Sequence, residues 1–252
     1  MTGQAPRLLV VEHERGTGPG WWEGWLAAAG MQLDVRTPYD TSAGGRAELP
    51  RLDGYAGLLV LGGAMGPTDD DACPWLPATR GLLADALSAG LPTFGICLGA
   101  ELMAVACGGH VRRGTTGPEL GVLTISRQPA AADDPVFAAL PDQARVLQWH
   151  WEEIDQLPPG AVLLASSPSY RHQAFRLGDA AWGVQGHPEV TPDIAAQWAR
   201  EDSPLLREAG RLPDDLLAEV RAASQELQAT WRPVADAFAA AVRGEFAGTA
   251  GR

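Results

Sequence analysis

The stretch FGICLGAELMA, residues 94–104, decides the fold. Residues 93–96 are β-prone and apolar, and residues 98–106 carry apolar side chains at helical spacing, so a strand runs directly into a helix. Cys97 stands at the junction, between Gly95 and Gly99. Glycines allow the tight turn and the close backbone approach that lift a side chain above a sheet. The pattern predicts a nucleophilic cysteine at the start of a helix, where the helix dipole lowers the pKa of a thiol.

Strands and helices alternate on both sides of this turn. Apolar runs predict strands at 8–11, 33–35, 57–61 and 93–96, and helical spacing predicts helices at 19–29, 77–89 and 98–106. Short apolar strands separated by helices are typical of a parallel sheet that is covered on both faces. The predicted fold class is therefore α/β, an open and mostly parallel sheet flanked by helices.

The pattern changes after Gly109. Strands without long helices between them are predicted at 122–125, 145–149, 161–165, 173–177 and 181–185, which indicates an antiparallel section. From residue 191 the pattern is helical, with helices beginning at Pro192 and Pro213 and a third over 231–243. We expect a domain over 1–190 and a C-terminal helical extension over 191–252. Surface segments are predicted at 41–46 and 248–252.

Composition and charge bound the class of partner. The 252 residues are 46% hydrophobic, and 19 Lys and Arg against 31 Asp and Glu give a net charge of −12. Excess acid argues against nucleic acid and against an anionic membrane as a partner. No run reaches the roughly 18 apolar residues of a membrane span. An odd set of cysteines without a CxxC or Cys/His cluster predicts no metal, no cofactor and a reducing cytoplasm: Cys73, Cys97 and Cys107.

A histidine and a carboxylate follow the last predicted strand, in the segment QGHPE at residues 185–189. A thiol that attacks a carbonyl needs a base, which returns the proton to the leaving amine and is held by a third group. His187 and Glu189 lie at i and i+2, so an extended segment places them on one side, and Pro188 favours that conformation. The sequence therefore predicts a catalytic triad of Cys97, His187 and Glu189.

Paired glycines, Gly62 and Gly63, follow the predicted strand at 57–61. Backbone N–H groups of such a loop can point into a cavity and stabilise the oxyanion of a tetrahedral intermediate. Ligands bind at the carboxyl ends of strands in open parallel sheets. We therefore expect this loop to lie beside Cys97.

In order and spacing, the glycine pair, the G-x-C-x-G turn and the closing His-Pro-Glu resemble class I (triad-type) glutamine amidotransferase domains, in particular stand-alone GMP synthase-like ones. The resemblance covers roughly residues 7–190, about three quarters of the chain. It implies a flavodoxin-like sheet. It also implies hydrolysis of the glutamine side-chain amide through a γ-glutamyl thioester on Cys97, with release of ammonia. His187 would be the base and then the acid, and Glu189 would orient it.

The resemblance assigns further residues to substrate binding. The backbone amides of Gly63 and Leu98 would form the oxyanion hole. The segment around Trp149 and His150 resembles the one whose backbone helps to hold the glutamine α-carboxylate.

Two positions depart from the family pattern. Glu101 stands four residues after the nucleophile, where the family usually has glutamine. A carboxylate there could accept hydrogen bonds from the substrate α-ammonium, or it could mean that the preferred γ-glutamyl compound is not free glutamine. Gly186 replaces the usual aromatic residue before His187, which predicts more room beside the base.

Four interpretations remain open. A stand-alone glutaminase-type amidotransferase is favoured; with no P-loop or synthetase motif in the sequence, its ammonia would pass to a separate synthetase subunit, or the chain would act alone. A γ-glutamyl hydrolase acting on a γ-glutamylated amine or peptide would use the same triad. Cysteine proteins of the flavodoxin-like intracellular protease and chaperone type usually lack the closing His-Pro-Glu. A domain retained only for binding would not need the triad. The helices of 191–252 could cap the site, build a homodimer or pack over the sheet.

Overall fold

Residues 5–40 and 49–245, which the computed structural model describes, form eleven strands and six α-helices. The surface segments predicted at 41–46 and 248–252 lie outside these ranges. The strands are β1 (Arg7–Val11), β2 (Gln32–Arg36), β3 (Gly57–Val60), β4 (Thr93–Ile96), β5 (His110–Arg113), β6 (Glu119–Arg127), β7 (Gln143–His150), β8 (Glu152–Gln156), β9 (Val162–Ser166), β10 (Ala174–Leu177) and β11 (Ala181–Val184). The helices are α1 (Trp21–Ala28), α2 (Leu76–Ser88), α3 (Leu98–Ala106), α4 (Pro192–Glu201), α5 (Ser203–Glu208) and α6 (Pro213–Val242).

Nine of the strands form one mixed sheet in the order β2-β1-β3-β4-β11-β10-β9-β6-β7. The five strands from β2 to β11 are parallel to one another, and the remaining four continue the sheet in antiparallel fashion. This confirms a mostly parallel sheet with an antiparallel section. β11 joins the two parts, because it pairs in parallel with β4 and in antiparallel with β10.

Alternate side chains of the parallel strands enter two hydrophobic cores. Leu8 and Val10 face the layer formed with α1 and α6, whereas Leu9 and Val11 face the layer formed with α2 and α3. All four are fully buried. Burial on both faces explains why these strands are continuous apolar runs in the sequence.

The C-terminal helices differ from the prediction. One helix, α6, runs unbroken through Pro233, where two helices were expected, and the short α5 was missed. A proline inside a helix costs about 3 kcal/mol. Burial of Trp231, Val234 and Phe238 in the α1-side core offsets that penalty, and Trp231 Nε1 donates to the carbonyl of Arg145 at 2.8 Å. The division between 1–190 and 191–252 stays a prediction.

A second, two-stranded sheet was also missed. β5 and β8 pair in antiparallel fashion, and their residues are largely polar and only partly buried. Such strands give no apolar run to detect. No helix within residues 5–40 and 49–245 combines the length and the apolar composition of a membrane span.

Candidate active site

Cys97 occupies a strained turn between β4 and α3. Its φ of 49° and ψ of −111° make it the one non-glycine residue with positive φ in the described ranges. Its N–H donates to the carbonyl of Val184 at 2.8 Å, and its own carbonyl accepts from the N–H of Glu101 at 3.0 Å. The strain costs of order 1–3 kcal/mol and persists because the sheet and the helix fix both ends of the turn.

The glycines around Cys97 are required for close packing. A Cβ at Gly99 would collide with the backbone oxygen of Val60 in β3, and a Cβ at Gly95 would lie 2.7 Å from the backbone of Gly99. Backbone atoms cannot move aside as a flexible side chain can. The first turn of α3 therefore sits directly on the sheet.

The histidine and the carboxylate predicted from the sequence are paired. His187 Nδ1 lies 2.9 Å from Glu189 Oε1, and both side chains are at least 96% buried. A carboxylate accepts, so Nδ1 carries the proton and Nε2 is left with the lone pair of a base. The His187 N–H donates to the carbonyl of Leu147 at 2.7 Å. The ring of Trp198 packs edge-on at 4.8 Å.

Cys97 and His187 line one cavity of about 330 Å³. It opens at the edge of the sheet where the parallel strands β1, β3, β4 and β11 end, which is where open α/β sheets bind ligands. Its wall contains residues from several segments of the chain: Glu14, Thr17, Gly63, Ala64, Met65, Cys97, Glu101, Arg113, Trp149, His150, Trp151, Glu152, His187, Trp198, Glu201, Asp202 and Leu205.

The expected lowering of the thiol pKa is wrong for this structure. Burial raises the pKa of Cys97 well above its usual value, and the nearby carboxylates of Glu101 and Glu189 raise it further. The N–H of Leu98 acts in the opposite direction but does not compensate. The thiol is therefore neutral near pH 7, and attack on a carbonyl requires a base.

The predicted oxyanion residues lie beside the cysteine. Gly63 lines the cavity, and a Cβ there would be 2.9 Å from the Leu98 side chain, so the two residues are neighbours. Gly62 instead packs under the base: a Cβ there would lie 2.9 Å from His187 Cε1. The first amide of α3, that of Leu98, donates to the thiol sulfur.

Glu101 lies in the wall of the cavity and is 97% buried. Its Oε1 accepts from Gln185 Nε2 at 2.8 Å. Burial raises the pKa of Glu101 to about 7, the hydrogen bond from Gln185 lowers it, the charge of Glu152 raises it and that of His150 lowers it. Near neutral pH this side chain is half protonated and can donate or accept.

Trp149 and His150 both line the cavity, at the end of β7. Trp149 Nε1 donates to Asp202 Oδ2 at 2.8 Å. His150 has an acceptor at each ring nitrogen: the carbonyl of Glu152 lies 2.6 Å from Nδ1 and the carboxylate of Glu119 lies 3.1 Å from Nε2. A ring that donates from both nitrogens satisfies both contacts, as an imidazolium paired with a buried carboxylate.

Sequence reasoning missed the polar cluster behind His150. Burial tends to raise the pKa of Glu119, but hydrogen bonds from His150 and Ser167 outweigh it and leave the value below normal. Gln173 Nε2 adds a further bond to Glu119, at 2.6 Å. The members come from β6, β7 and the loop before β10 and form no local motif, so only their burial in the folded chain reveals them.

The outer wall of the cavity was missed as well. Glu14 follows β1, and its Oε1 accepts from the N–H of Ala64 at 2.9 Å. Glu201 and Asp202 come from the end of α4, which docks through the contact of Trp198 with Trp149 at 5.7 Å. The order of the parallel strands could have suggested Glu14, because β1 ends at the same edge as β4.

The predicted space beside the base is absent. A Cβ at Gly186 would lie 2.8 Å from Val146 Cγ2 and 3.0 Å from Gln148 Oε1. These two side chains of β7 fill the volume, so Gly186 reflects close packing and does not enlarge the pocket.

An α/β protein with a buried cysteine on a strained strand–helix turn fits the class of enzymes that use a cysteine nucleophile. A family model described as glutamine amidotransferase class-I matches residues 25–200. The match spans more than half of the chain, so the protein belongs to the class-I glutamine amidotransferase family and is an enzyme of that family.

Individual relatives agree with this assignment. The chain is similar to gamma-glutamyl peptidase 4 of Arabidopsis thaliana, with 30% identity over 145 residues, which is 57% of each protein. It is also similar to one subunit of the glutamine-hydrolyzing GMP synthase of Methanoculleus marisnigri, with 36% identity over 137 residues, 54% of this chain and 67% of the archaeal one. The chain thus spans little more than half the length of the peptidase.

A solved structure of a glutamine amidotransferase from Thermotoga maritima matches with a TM-score of 0.82 and 27% identity. The match covers 94% of this chain and 99% of that chain. It extends beyond residues 1–190 and confirms the predicted fold class.

Proposed function

We propose that the protein hydrolyses the side-chain amide of glutamine through a γ-glutamyl thioester on Cys97. The observation that carries this proposal is the placement of Cys97, on a strained turn, in the same cavity wall as the buried pair of His187 and Glu189. Glutamine hydrolysis is the activity implied by the family to which the chain belongs.

In the first half-reaction, His187 Nε2 takes the proton of the Cys97 thiol as the sulfur attacks the γ-carbonyl carbon. The amides of Gly63 and Leu98 hold the oxyanion. The C–N bond then breaks, and the His187 proton goes to the leaving nitrogen, which departs as ammonia. In the second half-reaction, His187 deprotonates a water molecule that attacks the thioester, and glutamate leaves. Glu189 keeps the ring oriented throughout.

The backbone of Trp149 and His150 and the side chain of Glu101 would hold the amino-acid end of the substrate. Glu101 fits the α-ammonium, because a buried carboxylate near a cation is favoured in its ionised form. Arg113, at the same side of the cavity, fits the α-carboxylate.

The released ammonia passes to a separate synthetase partner in this proposal. The similarity to one component of a GMP synthase supports such a partner. The protein would work in the cytoplasm, where Cys97 stays reduced; within the described residues, Cys73, Cys97 and Cys107 are all free thiols.

A second candidate is hydrolysis of a γ-glutamylated amine or peptide by the same residues. Glu101 at the position where the family usually has glutamine favours it, as does the similarity to a γ-glutamyl peptidase. Ammonia release from glutamine and amine release from γ-glutamyl amides, measured side by side, separate the two candidates.

Labelling with a diazo-ketone analogue of glutamine tests the proposal. Peptide mapping should place one adduct on Cys97, and the adduct should be lost in Cys97→Ser but retained in the control Cys107→Ser. If Cys97 reacts with iodoacetamide but not with the analogue, glutamine is not the substrate. An adduct that persists in Cys97→Ser would remove Cys97 from the mechanism.

A further inference from the structure

Three carboxylates form one wall of the cavity, on the side of Gly63 and Ala64. They are Glu14, Glu201 and Asp202, and we call them the acidic wall. The same cavity contains the Cys97 thiol and the side chain of His187, which is 96% buried and whose Nε2 has no hydrogen-bond partner among the described residues. The acidic wall therefore faces a site with its own reactive groups.

The acidic wall keeps its negative charge because its hydrogen-bond donors are neutral. Glu14 accepts from the N–H of Ala64, Asp202 from the indole of Trp149, and Glu201 from the amide of Gln197 at 2.9 Å. No ion pair with Lys or Arg involves any of the three within residues 5–40 and 49–245. Burial raises the pKa of Glu14, and the charges of Asp202 and Glu201 raise it further, which shows how close the three groups are.

The other side of the cavity has charges of both signs. Arg113 Nη1 lies 3.8 Å from Glu152 Oε1, and the charges of Glu152 and His150 both act on Glu101. This side suits the ammonium and the carboxylate of a γ-glutamyl group. The acidic wall would repel that carboxylate, so it is left to contact what lies beyond the scissile bond.

The partner of the acidic wall is a cation other than a coordinated metal. Across the described ranges, no three Cys, His, Asp or Glu side chains are placed so that they could share a metal ion. An ammonium group at the end of a flexible chain needs no fixed coordination shell and gains from several carboxylates at once.

We infer that the preferred substrate is a γ-glutamyl amide whose leaving amine carries a second, positively charged amino group, as in the γ-glutamyl amide of a diamine. This inference rests on the proposed function and names its substrate class. Cys97 sulfur bonds to the γ-carbonyl carbon, the C–N bond breaks, and His187 gives its proton to the departing nitrogen. Water then cleaves the thioester to glutamate. The diamine leaves along the acidic wall, which holds its distal ammonium before and during bond cleavage.

Three synthetic substrates of similar length test the charge preference: the γ-glutamyl amides of putrescine, n-pentylamine and γ-aminobutyrate. They end in a cation, a methyl group and an anion. We expect kcat/KM to fall in that order, with the cationic amide at least about fivefold above the neutral one, because one contact between unit charges gives about that factor in water. The preference should shrink as sodium chloride is raised.

Variants link the preference to the acidic wall. Glu201→Gln, and the double variant with Glu14→Gln, should each lower the ratio of kcat/KM between the cationic and the neutral amide by about fivefold per charge removed. Glu208→Gln, an exposed acid of α5 outside the cavity, is the matched control and should leave the ratio unchanged. A ratio has no dependence on the fraction of folded enzyme, so partial misfolding does not imitate the effect.

The outcomes separate the two levels of the argument. Equal or faster cleavage of the neutral or anionic amide overturns the inference and leaves the proposed function standing. An unchanged ratio in the double variant removes the acidic wall from specificity. If neither glutamine nor any of the three amides is cleaved by the intact protein, the proposed function fails, and the inference fails with it.

Discussion

Replacing Glu101 with glutamine should remove a pH-dependent penalty on folding. The pKa of this carboxyl rises from 4.5 to about 7, chiefly through burial, against the opposing hydrogen bond from Gln185. Each pKa unit corresponds to about 1.4 kcal/mol, so ionised Glu101 lowers the free energy of unfolding by about 3 kcal/mol relative to its protonated form. Because the folded-state pKa is raised, the stability is fully present below pH 4.5 and is lost as the pH rises towards 7.

Urea denaturation of the wild-type protein and of Glu101→Gln, at a series of pH values from 4.5 to 8.5, measures this effect. The variant should gain on the wild type by about 3 kcal/mol between pH 4.5 and 7, and the difference should then stay level. The comparison is of slopes, so any constant effect of the amide on packing cancels. Glu208→Gln, an exposed acid, should follow the wild-type curve. Parallel curves for the wild type and Glu101→Gln would refute the buried, weakly acidic Glu101.

Three further predictions follow from the geometry of the turn and the triad. His187→Ala should lower kcat by roughly three orders of magnitude or more in a turnover assay, and activity near the wild-type level would refute its role as the base. Gly99→Ala should destabilise the protein by about 2–3 kcal/mol in urea denaturation, because the new Cβ meets the backbone of Val60, and an unchanged midpoint would contradict that contact. Glu101→Gln should lower the pKa of Cys97 and speed its alkylation by iodoacetamide severalfold at pH 8; an unchanged rate would show that the two groups do not interact.

Those parts of the site whose geometry is set locally could be predicted from the sequence. The β4–α3 turn depends on small residues next to Cys97, and the contact between His187 and Glu189 depends on an extended segment of three residues. Both signals lie within a few positions and so survive in one sequence. The alternation of buried strands and helices was likewise sufficient for the sheet, because strands covered on both faces must be apolar throughout.

Features that depend on packing between distant segments could not be predicted. Glu14 and Asp202 meet only because α4 docks beside β7, and no pattern near either residue encodes that contact. The pKa of Cys97 was expected to fall on the basis of the helix dipole alone, whereas burial and two carboxylates from elsewhere in the chain dominate it. The space expected beside Gly186 is filled by side chains of β7, a strand some 40 residues away.

The central claim is that Cys97 becomes acylated by a γ-glutamyl group. Rapid mixing with glutamine and with the γ-glutamyl amides, acid quenching and mass spectrometry of the intact protein and its peptides measure this species directly. The account predicts a mass increase of one γ-glutamyl group on the peptide containing Cys97, absent in Cys97→Ser and removed by hydroxylamine. Turnover of these substrates without any acyl-enzyme, or with the acyl group on another residue, would contradict it.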